Sequence, residues 1–160
     1  MIVQTSNPRI IPAGTPEQIE QVRTLFREYA AATGACECFH GFAVEIAELP
    51  GPYAPPTGRL LLAEVDCRAA GCVALRRLDD QTGEMKRLYV PPGFRGRKLG
   101  RRLAEAILAE AARMGYRALR LDTLPSMAAA RALYEAMGFR SIPRYNENPS
   151  EGVIYLELRF

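Results

Sequence analysis

The sequence Gly93-Phe94-Arg95-Gly96-Arg97-Lys98-Leu99-Gly100 decides the fold through what stands on either side of it. A run typical of a β-strand, residues 85–90, precedes it and ends at two prolines. Apolar residues at helical spacing follow it as far as Met114. The order is therefore strand, glycine-bearing turn and helix. Glycines permit tight or left-handed turns, and the unpaired N–H groups at the start of the helix favour an anion there.

The charges around this turn indicate the same kind of ligand. Five cationic residues crowd the N-terminal end of the helix: Arg95, Arg97, Lys98, Arg101 and Arg102. The helix macrodipole disfavours each of them there by about 0.3–1 kcal/mol, so a sequence selected for helix stability alone would place acids at this end. We interpret the cluster as a site for a polyanion, most simply a pyrophosphate, and a solvated basic face is the open alternative.

Two other phosphate-binding loops do not fit the glycine spacing. A Walker loop needs two glycines five apart and then Lys and Ser or Thr, a pattern that is absent. The dinucleotide fingerprint needs glycines at relative positions one, three and six, whereas these glycines fall at 93, 96 and 100. Asp122 stands at the distance of that fingerprint's acidic residue, but the spacing argues against a Rossmann site.

Length and composition indicate one domain, residues 1–160, with a buried core. The 160 residues are 48% hydrophobic and 24% charged, which is ordinary for a globular protein. A net charge of +3 suits an anionic ligand but is too small to indicate nucleic acid. No apolar run approaches the roughly 18 residues of a membrane span, and no secretory signal is visible. We therefore expect a cytoplasmic location.

The cysteines do not form the pattern of a disulfide framework or of a metal site. Cys36, Cys38, Cys67 and Cys72 are expected to be reduced in a chain of this size. A structural zinc site needs four ligands, usually from two separated pairs, and His40 is the single histidine. The sequence predicts no metal.

The order of predicted elements is mixed. A first helix starts at a capping box, Thr15 to Gln18, and stops at Gly34, and residues 42–49 fit a short helix or a mixed segment. Strands at residues 59–65, 69–78 and 84–90, joined by tight turns, predict an antiparallel meander.

The second half of the chain alternates helix and strand after the glycine-bearing turn. Residues 118–122 form a strand, Ser126 caps another helix that stops at Gly138, and residues 139–142 and 153–158 form strands. Because the turn follows a hairpin strand, a parallel dinucleotide-binding fold is disfavoured again.

Two motifs resemble the GNAT N-acetyltransferase superfamily. That family's acetyl-CoA loop reads Gln or Arg, two residues, Gly, one residue, Gly or Ala; Arg95 and Gly100 match its ends, and Lys98 replaces the middle glycine. The stretch Ala130-Arg131-Ala132-Leu133-Tyr134-Glu135-Ala136-Met137-Gly138-Phe139 strongly resembles the second cofactor-side motif. The resemblance covers about residues 59–160, and it departs from the commonest form at Met127, where the family has Asn.

The resemblance implies an α/β fold with a mixed, strongly bent, mostly antiparallel central sheet of about six to seven strands. Helices lie on both sides, and two central strands, residues 84–90 and 118–123, splay apart around the pantetheine arm. It implies acetyl-CoA as co-substrate and no metal. The cofactor contacts that it implies are Leu88, Tyr89, Val90, Arg95, Gly96, Arg97, Lys98, Leu99, Gly100, Arg101, Thr123, Met127, Ala130 and Tyr134.

The implied reaction is direct attack of a primary amine on acetyl-CoA in a ternary complex. Glu84 stands where the family often places a general base, and its alternative role is an ion pair at a hairpin edge. Tyr134 matches the tyrosine that protonates the leaving thiolate, a role compatible with packing in the core. A backbone N–H of Tyr89 or Val90 would polarise the thioester carbonyl.

The acceptor is not identified by the sequence. A small-molecule amine, an amino acid and a peptide all remain open, and Tyr53, Arg144 and Tyr145 are predicted to border its site. An acetyl-CoA-binding sensor or a catalytically inactive relative is the alternative function. A nucleic-acid module is disfavoured by the modest charge and the alanine-rich helix. A homodimer is compatible with the sequence but is not indicated by it.

Overall fold

The computed structural model describes residues 7–34 and 41–160, which build one seven-stranded sheet. Its strands are β1 (Arg9–Pro12), β2 (Arg59–Val65), β3 (Arg68–Arg77), β4 (Thr82–Tyr89), β5 (Ala118–Thr123), β6 (Arg140–Ser141) and β7 (Ile154–Arg159). They lie in the order β1-β2-β3-β4-β5-β7-β6. Every neighbouring pair is antiparallel except β4 and β5, which are parallel. The predicted mixed, mostly antiparallel sheet is confirmed.

Four helices accompany the sheet within the described residues. They are α1 (Pro16–Thr33), α2 (Phe42–Ala47), α3 (Leu99–Arg113) and α4 (Ala128–Met137), with single 3₁₀ turns at Gly51–Tyr53 and Pro92–Phe94. The capping box of Thr15 and Gln18 starts α1 as predicted, and Gly34 ends it in the left-handed conformation. No helix in these ranges has the length and apolar character that a bilayer span requires.

The predicted cap of α4 is wrong by one residue. Met127, not Ser126, is the N-cap, and no side chain caps this end of the helix. A turn closed by the Met127 N–H and the Leu124 carbonyl, 3.0 Å apart, delays the start of the helix to Ala128. The predicted stop at Gly138, in the left-handed conformation with φ of 99°, is confirmed.

Alternation along the strands gives the sheet two apolar faces. On β2, Leu60 and Leu62 pack among α1 and α2, whereas Leu61 and Ala63 join the core that contains α3 and Tyr134. Successive side chains of a strand point to opposite faces, so a nearly continuous apolar run is what a sheet covered on both faces needs. Helices therefore lie on both sides of the sheet, as expected.

The sheet opens between its two central strands. β4 and β5 pair only from Thr82–Ala118 to Glu84–Arg120, and both continue beyond without pairing. Two residues of β4 lie between the pairs Cys72–Tyr89 and Ala74–Lys86, where β3 has one. Arg87, in this bulge, has a positive φ of 58°. Because a bulge bends its strand, it turns the end of β4 away from its neighbour. The predicted splay is confirmed, and it creates the opening described below.

We expect Gly58→Ala to lower the free energy of unfolding by about 1–3 kcal/mol. A Cβ at Gly58 would lie 2.7 Å from the Leu75 carbonyl oxygen, the Pro52 carbonyl oxygen and the Tyr53 carbonyl carbon, which are backbone atoms that cannot move freely. Urea unfolding followed by circular dichroism measures the change. The matched control is Gly14→Ala, because a Cβ there meets nothing within 4 Å. Equal midpoints for the two variants would contradict the packing at Gly58.

Candidate active site

A cavity of about 110 Å³ lies where β4 and β5 part. Residues 85–88 of β4 and residues 121–124, at the end of β5, form its two long walls. Met127 and Tyr134 border it from the α4 side, and Tyr29 and Thr33 of α1 border it from the opposite face. The splay thus gives a narrow passage between the two faces of the sheet.

The start of α3 lies just after β4 and is prepared for an anion. No side chain caps this helix end, and its first turn contains no acid. The first intrahelical bond runs from the Arg102 N–H to the Lys98 carbonyl oxygen at 3.1 Å, so the N–H groups of residues 99–101 have no intrahelical partner. Arg95 Nε donates to the Val90 carbonyl oxygen at 2.9 Å, which ties the loop to the end of the strand. The cofactor contacts predicted in the loop and those predicted at the end of β4 therefore lie next to each other.

The backbone conformation of Lys98 shows why the family loop usually has a glycine at this position. Its φ and ψ of 59° and 23° are left-handed, which is why a glycine at this position is usual. Gly96, two residues earlier, also has a positive φ of 83°. The loop keeps its turn with a lysine, at the cost of backbone strain at one residue.

Most of the cations in and after the loop have no carboxylate paired with them among the described residues. Arg101 pairs with Glu105 at 2.8 Å, and Arg102 donates to the Pro8 carbonyl oxygen at 2.9 Å. The Arg97 guanidinium stacks over the Phe94 ring at 5.9 Å. Among the described residues, Glu105 is thus the one carboxylate paired with these five cations. Excess positive charge beside uncapped backbone N–H groups is the arrangement expected of a phosphate-binding helix end.

Tyr134 borders the cavity with a buried side chain that carries an ionisable hydroxyl. Its side chain is 6% exposed, and its ring packs 5.6 Å from that of Phe139. Burial raises the pKa of the phenol above its ordinary value, so the hydroxyl is protonated at neutral pH. Nearby, Thr123 Oγ1 contacts Met127 Sδ at 3.6 Å, so a thioether fills the position of the family's Asn.

Glu84 is fully buried and does not border the cavity. Its Oε1 accepts from Arg76 Nε and its Oε2 accepts from the Tyr145 hydroxyl, each at 2.7 Å. Burial, and then the Glu84 carboxylate, raise the pKa of Tyr145. The structure joins two residues that the sequence assigned to different roles, the base and the acceptor site.

A groove of about 550 Å³ lies on the face of the sheet that carries α1 and α2. It is bordered by α2 and by the loop at residues 146–149, and Lys86 and Asp122 border both this groove and the cavity. Lys86 Nζ lies 3.9 Å from Glu84 Oε1. Burial lowers the pKa of Lys86, an effect that the nearby carboxylates oppose without cancelling.

Sequence reasoning considered Lys86 only as an ion-pair partner of Glu84, and Asp122 only for a dinucleotide site. Asn146 Nδ2 and Asn148 Nδ2 donate to Asp122 Oδ2 at 2.8 Å and 3.2 Å. Period-two alternation was the available signal, because it places Lys86 on the same face of its strand as Glu84. Alternation within that strand does not show which residues of the neighbouring central strand, expected from the family resemblance, stand beside Lys86.

The acetyltransferase (GNAT) family model matches residues 21–139 of the chain. The chain belongs to this family of acyltransferases. An uncharacterized N-acetyltransferase of Schizosaccharomyces pombe is 34% identical over 159 residues, covering 98% of each chain. An acetyltransferase structure from Streptococcus agalactiae has a TM-score of 0.81 at 22% identity, covering 97% of this chain and 99% of that one. A GNAT acetyltransferase of Elizabethkingia anophelis with acetyl-CoA bound has a TM-score of 0.62 at 22% identity, with coverages of 97% and 99%.

The predicted acceptor contacts of this GNAT protein lie at different depths. Tyr53 is fully buried, and its hydroxyl donates to Glu45 Oε1 at 2.7 Å. Glu45 also accepts from Arg87 Nε at 2.9 Å and borders the groove, so Tyr53 meets the groove through Glu45. Arg144 borders a separate surface depression near β6 and β7 and donates to Glu147 at 3.1 Å.

No group of three His, Cys, Asp or Glu side chains with metal-site geometry occurs within residues 7–34 and 41–160. Cys36, Cys38 and His40 lie outside the described residues. Of the two described cysteines, Cys67 is exposed and Cys72 is a buried thiol.

Proposed function

We propose that this GNAT protein transfers the acetyl group of acetyl-CoA to a primary amine of a small molecule, amino acid or peptide by direct attack in a ternary complex. The observation that carries the proposal is the continuity between the uncapped, cationic start of α3 and the cavity at the splay. The end of β4 lines the cavity and continues through the loop into the start of α3. A cofactor with a charged diphosphate and a long, narrow thiol arm matches this sequence of environments.

The residues of the loop fit the diphosphate. The N–H groups of residues 99–101 would bind its oxygens, and Arg97, Lys98 and Arg101 would supply positive charge. The unpaired edge of β4 beyond Glu84 would receive the pantetheine amides. Acetyl-CoA bound in the Elizabethkingia anophelis acetyltransferase is consistent with the same use here.

The chemical step exchanges one bond at the acetyl carbon. The nitrogen lone pair attacks the thioester carbonyl carbon, the C–N bond forms, the C–S bond breaks, and the electron pair of that bond leaves on sulfur. We propose that the Tyr134 hydroxyl gives its proton to the thiolate. Its burial beside the cavity and its raised pKa support this role, because the proton is held until a strong base forms next to it.

The acceptor must lose a proton before or during attack. An alkyl amine with a pKa near 10.4 is neutral in about one molecule in a thousand at pH 7.4, which corresponds to roughly 4 kcal/mol. We propose that Glu84 is the base and that the Tyr145 hydroxyl relays the proton to it. The 2.7 Å bond between them supports a relay, because Glu84 itself has no exposed surface. A cytoplasmic location remains a prediction from the sequence, and a homodimer remains compatible with it.

The cofactor proposal is tested by calorimetric titration with acetyl-CoA and with CoA. We expect micromolar binding of both. Two variants remove the Lys98 charge and differ in backbone preference: Lys98→Gly should hold the affinity within about threefold, and Lys98→Val should weaken it at least tenfold more, because a β-branched residue disfavours positive φ. Absence of binding by the parent protein at every salt concentration would contradict the proposal. Equal affinities of the two variants would contradict the role of the loop backbone.

Tyr134→Phe tests the acid. We expect kcat to fall roughly 10–100-fold, with the acetyl-CoA Kd within twofold of the parent, because only proton donation is lost. The readout is thiol release together with calorimetry. Tyr116→Phe is the matched control, since the Tyr116 hydroxyl donates to the Thr57 carbonyl oxygen at 2.6 Å away from the cavity, and its loss should cost about 1 kcal/mol of stability without changing kcat. Unchanged turnover in Tyr134→Phe would remove the acid role.

Glu84→Gln and Tyr145→Phe test the relay. Each should depress kcat/KM most at low pH, where the amine is protonated, and the deficit should shrink as pH approaches the amine pKa near 10.4. The double variant should be no worse than either single variant, because both remove the same proton path. Tyr155→Phe is the control: its ring packs 5.2 Å from that of Tyr145, and its pH profile should match the parent. Additive losses or parent-like profiles would exclude the relay.

A further inference from the structure

Two side chains of opposite charge stand where the cavity and the groove meet. Lys86 of β4 and Asp122 of β5 border both spaces, as does Arg87, whose guanidinium is already paired with Glu45. They lie beyond the last paired residues of these strands, Glu84 and Arg120, so no ladder bond separates them. An acceptor that reaches from the groove to an acetyl group in the cavity passes beside both side chains.

The Lys86 ammonium donates no hydrogen bond to any described residue, although its side chain is nine-tenths buried. Its side chain is 10% exposed, and its one ion-pair contact within the described residues is Glu84 Oε1 at 3.9 Å, beyond hydrogen-bond distance. The two oxygens of Glu84 already accept from Arg76 and Tyr145. An ammonium that faces these spaces with little exposure and no acceptor among the described residues favours a ligand that brings an anionic oxygen.

Asp122 has one carboxylate oxygen, Oδ1, that is available to accept a hydrogen bond from a ligand. Its Oδ2 accepts from Asn146 and Asn148, whereas its Oδ1 accepts no hydrogen bond from any described residue. Burial acts to raise the pKa of Asp122, but Lys86 and the two asparagine bonds outweigh it and hold the pKa below its ordinary value. The group therefore remains a carboxylate that attracts an ammonium, while the proton is left to the Glu84–Tyr145 pair.

The two side chains carry opposite charges that no ion pair joins directly within the described residues. Lys86 contacts Glu84 at 3.9 Å, and Asp122 accepts only from two neutral asparagine amides. An acceptor with one positive and one negative group would satisfy Lys86 and Asp122 together, whereas an acceptor with a single charge would satisfy only one of them.

We propose that the acceptor is a small amino carboxylate of zero net charge, whose carboxylate binds Lys86 and whose amine is held by Asp122 Oδ1. The inference rests on the proposed acetyl transfer and narrows its acceptor class. It disfavours simple alkyl amines, which lack the carboxylate. It also disfavours internal residues of a peptide, whose main-chain carboxyl is an uncharged amide.

The experiment measures thiol release from acetyl-CoA with the twenty L-amino acids. Each one that is acetylated is compared with its primary amide and with the amine that lacks the carboxyl group. We expect kcat/KM for the best amino acid to exceed that for its amide at least tenfold and to exceed that for net-charged amino acids. For the amide, amine basicity works against this result, because replacing the carboxylate with an uncharged amide lowers the amine pKa and raises the neutral fraction.

Variants of Lys86 locate the preference. Lys86→Met, which keeps the length and loses the charge, should reduce kcat/KM for the amino acid at least tenfold more than for its amide, chiefly through KM. Lys86→Arg should preserve the preference. Arg9→Met, a change of an exposed cation on the distant edge strand β1, is the control and should not alter it.

The outcomes separate the two proposals. If amides and alkyl amines are acetylated as well as amino acids, acetyl transfer holds and the acceptor inference is wrong. The same conclusion follows if Lys86→Met lowers both substrates equally. If acetyl-CoA binds but none of the amines releases thiol, the acceptor inference is overturned. If peptides with free amines release none either, acetyl transfer is overturned as well and the sensor function takes its place.

Discussion

The parting of β4 and β5 is the constraint on which the rest of the site depends. Three paired residues on each strand join the two halves of the sheet, and beyond Glu84 and Arg120 the ladder stops. The bulge at Arg87 bends β4 away at that point. Backbone groups at the centre of a covered sheet are costly to leave without hydrogen-bond partners. The edges of β4 and β5 beyond this point are therefore suited to an extended ligand that carries amide groups.

The same parting orders the charges around it. Side chains that would face one another across a continuous sheet instead line two spaces, a cavity toward α4 and a groove toward α2. The Arg87–Glu45 pair, with side chains 5% and 14% exposed, fixes α2 against the bulge. Removing Arg87 would leave the mostly buried Glu45 carboxylate without its paired cation, which is costly, so the pair helps to hold this wall of the groove.

The anion-binding end of α3 is connected to this centre by the chain itself. Only the 3₁₀ turn Pro92–Phe94 and a short loop separate the end of β4 from the start of the helix. Arg95 closes that loop on the Val90 carbonyl, and the apolar face of α3, through Leu99, Leu103 and Ile107, packs into the core beneath the sheet. The uncapped start of α3 and the cavity at the splay are therefore held at a fixed separation by rigid elements.

The sequence by itself determined the elements and their order. Apolar alternation, the capping box at Thr15 and the glycine stops at 34 and 138 act within a few residues, so they could be interpreted without the fold. Two motifs in the correct order then indicated the family, the splay and the cofactor loop. The error at Ser126 arose because a turn between Leu124 and Met127 competes with the side-chain cap, and sequence does not rank such local alternatives.

The tertiary structure alone decided which side chains share the site. Glu84 and Tyr145 are 61 residues apart, and their hydrogen bond exists because the final loop crosses the splay. Lys86 and Asp122 come together because two strands distant in sequence lie side by side in parallel, which alternation within either strand cannot reveal. Burial separated Tyr53 from the groove for the same reason: exposure is a property of the packed chain, whereas residue type and spacing belong to the sequence.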